Sequence, residues 1–216
     1  MDVLGIDEAG KGSVIGPLVI CGALFEKNKI RKLREIGVKD SKLLSPKRRE
    51  ELYRELRKIA KKIKVIKVPP GEIDKRAEVC TNLNILEAIK FARIINELKP
   101  DLAIIDCPSP NPRKFREILN RYLEHKCKLK LENYADRRYK VVGAASIIAK
   151  VIRDREIRKI EKIVGKELGN GYPHDEKAIE FVRNANEFEK QFIRRSWQTF
   201  IRIRREKEQR KLSEYE

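Results

Sequence analysis

Cysteine is scarce and scattered. Cys21, Cys80, Cys107 and Cys127 are the only four in 216 residues, with no C-x-x-C pair and no companion histidine at ligand spacing. This excludes the closely spaced thiolate sites of structural zinc and a dense disulfide framework. The thiols are expected to be reduced, most of them buried as small apolar side chains. Long apolar runs are missing as well: none reaches membrane-spanning length, and no charged-then-apolar leader precedes the first expected strand. A soluble, cytoplasmic monomer is expected. There is no internal repeat and no low-complexity segment.

What the chain has in excess is positive charge. Lys and Arg number 51 against 33 Asp and Glu, a formal net charge of +18, and charged residues make up 39% of the sequence. A surface of this sign attracts polyanions, because neutralising phosphates releases condensed counterions. A thermostable, ion-paired surface would also be rich in charge, but such networks need balanced signs. Nucleic acid is therefore the favoured partner. The length suits one domain, or one domain with a small appendage.

Residues 5–13 read GIDEAGKGS. They satisfy the first seven places of a phosphate-cradling G-x-x-x-x-G-K loop and fail at the eighth, where Gly12 stands in place of the Ser or Thr that holds magnesium. Asp7 and Glu8 would also lie inside the cradle and repel phosphate unless a divalent cation came between them. Either the acids hold metal or the loop binds no phosphate, with an ordinary P-loop ATPase remaining as a rival.

β-branched residues on both sides of Gly10, Gly12 and Gly16 predict strands over 3–6 and 14–25 joined by a glycine-rich turn. Helices are expected over 29–35 and, after Ser45 as cap and Pro46, over 49–63. A strand over 64–68 ends at Pro69-Pro70-Gly71, and 83–98 repeats apolar residues on a broad helical face. LAIID at 102–106 is a short apolar run ending on an acid before Pro108, Pro110 and Pro112, which puts Asp106 at the tip of a buried strand. A helix over 113–125, a strand over 128–132 and a small-residue helix from 141 towards 164 follow. After Gly171-Tyr172-Pro173 the chain reads as helical and highly charged. Alternating strands and helices imply a layered α/β domain over 1–170, followed by a C-terminal helical region over 171–216.

Acids fall at three expected strand ends or exits: the pair Asp7-Glu8, Asp106, and Asp136 just before the helix carrying Ser146. Open α/β sheets place ligand sites at such ends. Taken alone, Asp136 reads as a helix cap or turn residue. Clustered carboxylates raise one another's pKa unless cations lie between them, so four acids on a basic protein point to oxygen-liganded magnesium or manganese. Two such ions about 4 Å apart activate water and stabilise the leaving oxygen of a phosphodiester. Metal on Asp7 and Glu8 would reverse the local charge, while the adjacent glycines let a phosphate or its sugar approach the backbone.

GIDEAGKGSVIGPLV, VKDSKLLS, LAIID, YADRRYKVVGAASIIAKVIRD and GNGYPHD stand in an order that resembles ribonuclease HII, the type 2 ribonuclease H, in its archaeal form. The likeness runs to Arg195-Ser196-Trp197. It implies a ribonuclease H-like fold, a central mixed sheet flanked by helices with a C-terminal helical region. It implies four catalytic, metal-binding carboxylates at Asp7, Glu8, Asp106 and Asp136, served by two ions of Mg2+ or Mn2+. The implied reaction is endonucleolytic hydrolysis of RNA in RNA–DNA hybrids and incision 5′ of a single ribonucleotide embedded in duplex DNA, leaving 3′-hydroxyl and 5′-phosphate ends. Ribonuclease HIII is a rival that would carry a further N-terminal domain. A rival of another class is a duplex-binding module without catalysis, which would give the four acids no reason to converge.

By the same likeness, Gly10-Lys11-Gly12 matches a Gly-Arg-Gly turn that reads the ribose 2′-hydroxyl together with a tyrosine, here Tyr172. Lys11 replaces the commoner Arg, which matters only where a bidentate guanidinium is needed. Tyr172 otherwise reads as an apolar residue closing a Gly-Pro turn. Lys39, Ser41 and Lys42 match a phosphate-contacting loop, with a solvated loop as the alternative and Asp40 as a turn or cap residue. Ser146 is either a packing residue or a substrate contact. Asn133-Tyr134 stands where a His-Lys pair is common, Lys140 where Pro is usual and Gly143 where Ser or Ala is usual. These departures are expected to loosen the segment that positions Asp136. His125 is expected on the surface and His174 near the nucleic acid. Gln209, Leu212 and Tyr215 resemble the peptide that docks on a sliding clamp, without its second aromatic; a frayed helix end is the alternative.

Overall fold

The computed structural model describes residues 1–38, 44–79 and 81–213, with the side chains of 77 and 210–213 left aside. Lys39, Asp40, Ser41, Lys42, Cys80 and Tyr215, together with the Leu212 side chain, lie outside the described residues. The chain packs as two compact units that alternate along the sequence. Unit 1 takes Met1–Ala9, Val19–Lys67 and Thr81–Ile152; unit 2 takes Gly10–Leu18, Val68–Cys80 and Arg153–Glu216. The described residues of the 171–216 region belong to unit 2.

Unit 1 is built on a five-stranded mixed sheet in the order β3-β2-β1-β4-β5, formed by β1 (Asp2–Ala9), β2 (Leu18–Glu26), β3 (Lys62–Val68), β4 (Leu102–Asp106) and β5 (Lys128–Glu132). β1 runs antiparallel to β2 and parallel to β4, which is itself parallel to β5. The centre of β1 and all of β2 up to its last residue are buried. Such near-continuous apolar runs are what strands covered on both faces require.

Helices α1 (Ile30–Glu35), α2 (Pro46–Ile59), α3 (Pro70–Glu78), α4 (Leu83–Leu98) and α5 (Pro112–Asn120) follow in chain order. After them come α6 (Ala135–Arg138), α7 (Lys140–Val164), α8 (Glu176–Asn184) and α9 (Gln198–Ser213). Their starts are chemically marked. Ser45 accepts from the Arg48 amide, Asn82 from Ile85 and Asn111 from Lys114, with Pro46 and Pro112 in the first turn. No helix among the described residues is long and apolar enough to cross a membrane.

One rival reading falls, and some element bounds need correction. Residues 5–9 belong to β1, and the chain returns as antiparallel β2, so the GKG stretch is not the strand-to-helix loop of an ATPase. β2 begins at Leu18 rather than 14, because residues 10–17 are a loop held within unit 2. β3 ends before Pro69-Pro70-Gly71 as expected, and Pro70 also opens α3, since its fixed φ suits a first helical residue. α5 stops at Asn120, where Arg121 and Tyr122 donate to Ile118 and Leu119 in a tight turn.

The long helix α7 is brought onto the sheet by Gly5. A Cβ built there would lie 2.1 Å from the Val141 carbonyl oxygen, so only glycine admits the helix backbone. The approaching surface is small: Ala144, Ala145 and Ala149 are fully buried. Gly5 and Asp7 share a strand face. Two strand residues advance about 6.7 Å, as do the four to five helical residues from Val141–Val142 to Ser146. The contact at Gly5 thereby sets Ser146 beside Asp7. Gly5→Ala is expected to cost about 3 kcal/mol or more, because both surfaces are backbone and neither yields cheaply. Thermal or urea unfolding of the variant checks this, and a loss below 1 kcal/mol would mean that α7 is free to move away.

Candidate active site

Asp7 lies near the end of β1, only 4% exposed, and pairs across the strand with Cys21. Burial pushes its carboxyl well above the ordinary range, and the charge of Asp106 adds to that rise. The Ser146 hydroxyl and the Glu8 amide, 2.7 Å from Oδ1, hold it back, and Asp136 adds a further upward push. Burial and then the Asp7 charge also drive the Cys21 thiol upward, which keeps it a neutral thiol rather than a thiolate ligand.

The sheet explains why these acids meet. β1 and β4 are in parallel register through Ile6 and Ile105, so Asp7 and Asp106 follow at adjacent strand ends. Asp106 Oδ1 then accepts from the Ala135 amide at 2.8 Å, which fixes the chain immediately before Asp136, itself 6% exposed. Asp7, Asp106, Asp136 and Ser146 are thus brought together within unit 1. Glu8 joins them through its backbone. Consecutive side chains of a strand leave opposite faces, so its carboxylate starts from the other side of β1.

Among the described residues, no group of three or more His, Cys, Asp or Glu is gathered tightly enough to hold a metal ion. That finding is compatible with the electrostatic grouping, since charges act on one another over distances longer than a ligand sphere. The donor set itself suits a hard cation. Its acids offer oxygen alone, and burial with neighbouring negative charge makes the Asp7 carboxylate costly unless a cation offsets it.

The segment expected to be loosened by Asn133 and Tyr134 is firmly tied. The Asn133 amide donates to the carbonyls of Cys107 and Ser109, at 3.0 and 2.8 Å. Tyr139 reaches the Glu132 carboxylate at 2.9 Å, and Gly143 continues α7 by donating to the Tyr139 carbonyl. His125 is not a surface residue of a helix. It sits half-buried beyond α5, with Nε2 2.9 Å from the Pro100 carbonyl oxygen. Of the cysteines, Cys21 and Cys107 are buried and Cys127 is half-buried, all as free thiols.

Gly10, Lys11, Gly12 and Tyr172 belong to unit 2. Gly10 has φ 84, a turn that glycine enters without strain. A Cβ on Gly12 would stand 3.9 Å from the Tyr172 ring, so the turn and the tyrosine lie side by side. The residues that hold them were not anticipated. Arg153, 1% exposed, donates to Ser13 Oγ at 2.8 Å and to the Asn170 carbonyl, and its guanidinium sits 4.8 Å from the Tyr172 ring centroid. Arg194, fully buried, donates to the carbonyls of Lys11 at 2.8 Å and Gly16 at 3.1 Å. Burial, then the charge of Arg153, lowers the Arg194 pKa to about 9, still charged at neutral pH. The single Ser13 hydroxyl proton is shared between the Ile15 and Gly171 carbonyls, 2.7 and 2.8 Å from Oγ. Asp74 of α3 receives the Arg195 and Ser196 amides, bracing the segment after Arg194. Tyr172 also stacks on His174, with centroids 5.7 Å apart.

Comparison with known proteins adds the following. The sequence model of the Ribonuclease HII family matches residues 4–200. The chain is 45% identical over 202 residues to Ribonuclease HII of Methanothermobacter thermautotrophicus, covering 92% of this chain and 97% of that one. Among solved structures it resembles ribonuclease H2 from Pyrococcus horikoshii OT3, with a TM-score of 0.85 and 41% identity over 95% of this chain and 98% of that one. It also resembles a chain of the PCNA:RNase HII complex from Archaeoglobus fulgidus, with a TM-score of 0.74 and 42% identity over 84% and 85% of the two chains.

The electrostatics of Asp7 give a test that needs no substrate. Its folded pKa lies above the unfolded value, so the native state binds the proton more tightly, and stability falls as pH rises from about 4 through the raised pKa. In chelator near neutral pH, Asp7→Asn is expected to be the more stable protein, by on the order of 1 kcal/mol, and to lack this fall. Thermal denaturation across that pH range measures both effects, and an Asn variant less stable than wild type at neutral pH would refute the repulsive pocket.

Proposed function

The chain belongs to the ribonuclease HII family, type 2 ribonucleases H that cut RNA within RNA–DNA hybrids, and from that premise we propose that it also incises duplex DNA 5′ of a single embedded ribonucleotide. The observation that carries the reading is the buried Asp7, whose carboxyl is pushed upward by burial and by the charges of Asp106 and Asp136 at adjoining strand ends. A non-catalytic duplex binder has no use for such a costly arrangement on a protein of charge +18.

Asp7, Glu8, Asp106 and Asp136 would hold two divalent cations, Mg2+ or Mn2+. Such ions, when bound, supply activation of a water and charge neutralisation at the scissile phosphate, leaving 3′-hydroxyl and 5′-phosphate ends. The chain's own groups do the rest. Ser146 and the Glu8 amide orient the Asp7 carboxylate, and the Ala135 amide orients Asp106. Gly10-Lys11-Gly12 presents its backbone to the ribose 2′-hydroxyl, with Tyr172 beside it to pack against the following sugar. Arg153 and Arg194 keep that turn and ring in place as positioning residues. Lys39, Ser41 and Lys42 would meet the phosphate backbone, and the 171–216 region would add basic contacts to the duplex.

A second reading concerns recruitment. The Archaeoglobus fulgidus relative was solved in a complex with PCNA. Residues 209–216 resemble a clamp-docking peptide, and Gln209 is exposed near the end of α9. We propose that Gln209, Leu212 and Tyr215 dock on a sliding clamp.

Magnesium-dependent cleavage of end-labelled duplexes tests the main reading. Wild type is expected to cut a hybrid within the RNA and a single-ribonucleotide duplex at one bond, 5′ of the ribonucleotide. Asp106→Asn is expected to lower kcat more than about 100-fold with duplex affinity retained. Tyr172→Ala is expected to reduce single-ribonucleotide incision about tenfold more than hybrid cleavage; equal losses would make Tyr172 a packing residue. Deleting 209–216 is expected to abolish co-elution with the clamp while cleavage stays as in wild type.

A further inference from the structure

Tyr134 combines two features that a packing residue would not show. Its backbone has φ 60 and ψ 34, in the left-handed region that a bulky side chain rarely enters. Lys99 is the only other described non-glycine residue of positive φ, and it ends α4, where such a turn is the usual helix stop. Tyr134 instead precedes α6, and its side chain makes no capping hydrogen bond. Nor is it held by burial, for the residue is 63% exposed, with the Arg137 guanidinium 5.1 Å from the ring centroid.

The conformation is imposed by its neighbours. Asn133 is tied to two carbonyls, and the Ala135 amide is tied to Asp106 Oδ1. Between those anchors the backbone turns left-handed and leaves an aromatic ring exposed to solvent, two residues before Asp136 in the chain. Glycine or asparagine would sit there with less strain. Strain retained at an exposed aromatic next to a reactive site is what a ligand contact explains and packing does not.

On a protein of charge +18 the ligand is nucleic acid. We propose that Tyr134 is a substrate contact, its ring lying against a sugar of the hybrid backbone while Arg137 braces the ring and adds positive charge near the adjoining phosphate. This rests on the reading of the chain as a hybrid-cutting nuclease and adds a specificity residue to it.

The test sets stability against affinity. Tyr134→Gly relieves the left-handed strain, so its Tm is expected to equal or exceed that of wild type, while Kd for an RNA–DNA hybrid in chelator rises about three- to tenfold. With magnesium, KM is expected to rise by a similar factor and kcat to stay within about twofold, and Tyr134→Phe is expected to restore wild-type values. An unchanged Kd in Tyr134→Gly overturns the contact. So does a lower Tm together with a lower kcat, which would assign the residue to holding Asp136. Cleavage by wild type tests the family reading separately, since hybrid affinity reports on Tyr134 whether or not the strand is cut.

Discussion

Three carboxylates acting on one another at the edge of a buried sheet repel, so the fold that keeps them there must secure each by something other than mutual attraction. Unit 1 does this mostly with donors from the backbone. The Glu8 amide and the Ser146 hydroxyl meet Asp7, and the Ala135 amide meets Asp106. Hydrogen bonds to an ionised group are worth about 1.5–3 kcal/mol each, enough to counter part of the repulsion without abolishing it. What remains is a pocket that prefers a positive guest. The requirement reaches back to the sheet, because Ser146 can serve Asp7 only while Gly5 lets α7 lie against β1.

Unit 2 meets the same difficulty with the sign reversed. Two guanidinium groups, Arg153 and Arg194, are buried near enough that one lowers the pKa of the other. Most of their hydrogen-bond partners are neutral, the carbonyls of Lys11, Gly16 and Asn170 and the Ser13 hydroxyl, with the Asp154 carboxylate 3.4 Å from Arg153 as the charged one. Lysine in such a place would shed its proton, whereas arginine keeps its charge and offers several fixed donors from one plane. The result is a turn and a tyrosine held by groups of fixed orientation, which the proposed reading of a single ribose hydroxyl would require.

The sequence made legible those features whose causes are local. Apolar runs ending on acids marked β1 and β4, the Ser45 cap marked α2, the apolar face marked α4, and the glycines marked the turn at 10–12. Features caused by distant partners stayed hidden. Arg153 contacts Ser13 across 140 residues and Arg194 contacts Lys11 across 183, and in a chain with 51 basic residues nothing local sets these two apart. Pro69-Pro70-Gly71 marks the end of β3, but the helix that follows it stayed hidden, because α3 is held by distant contacts that Asp74 and Arg76 make around residues 195–197. Ser146 stayed open between packing and contact, because its role depends on a helix-to-sheet distance that spacing alone does not give.

The residues that break local rules in unit 1 gather in one stretch. Asn133 tolerates the left-handed region better than tyrosine does, yet the strained position is 134. The order of the two residues has a physical reason. The Asn133 side chain must donate to the Cys107 and Ser109 carbonyls at the exit of β4, which ties the chain after β5 to the chain after Asp106. With that amide committed at 133, the turn that swings Ala135 round to Asp106 falls on the next residue, whatever its side chain. Local conformational preference yields here to the placement of the carboxylates, and the segment keeps its strain because the bonds on either side over-determine it.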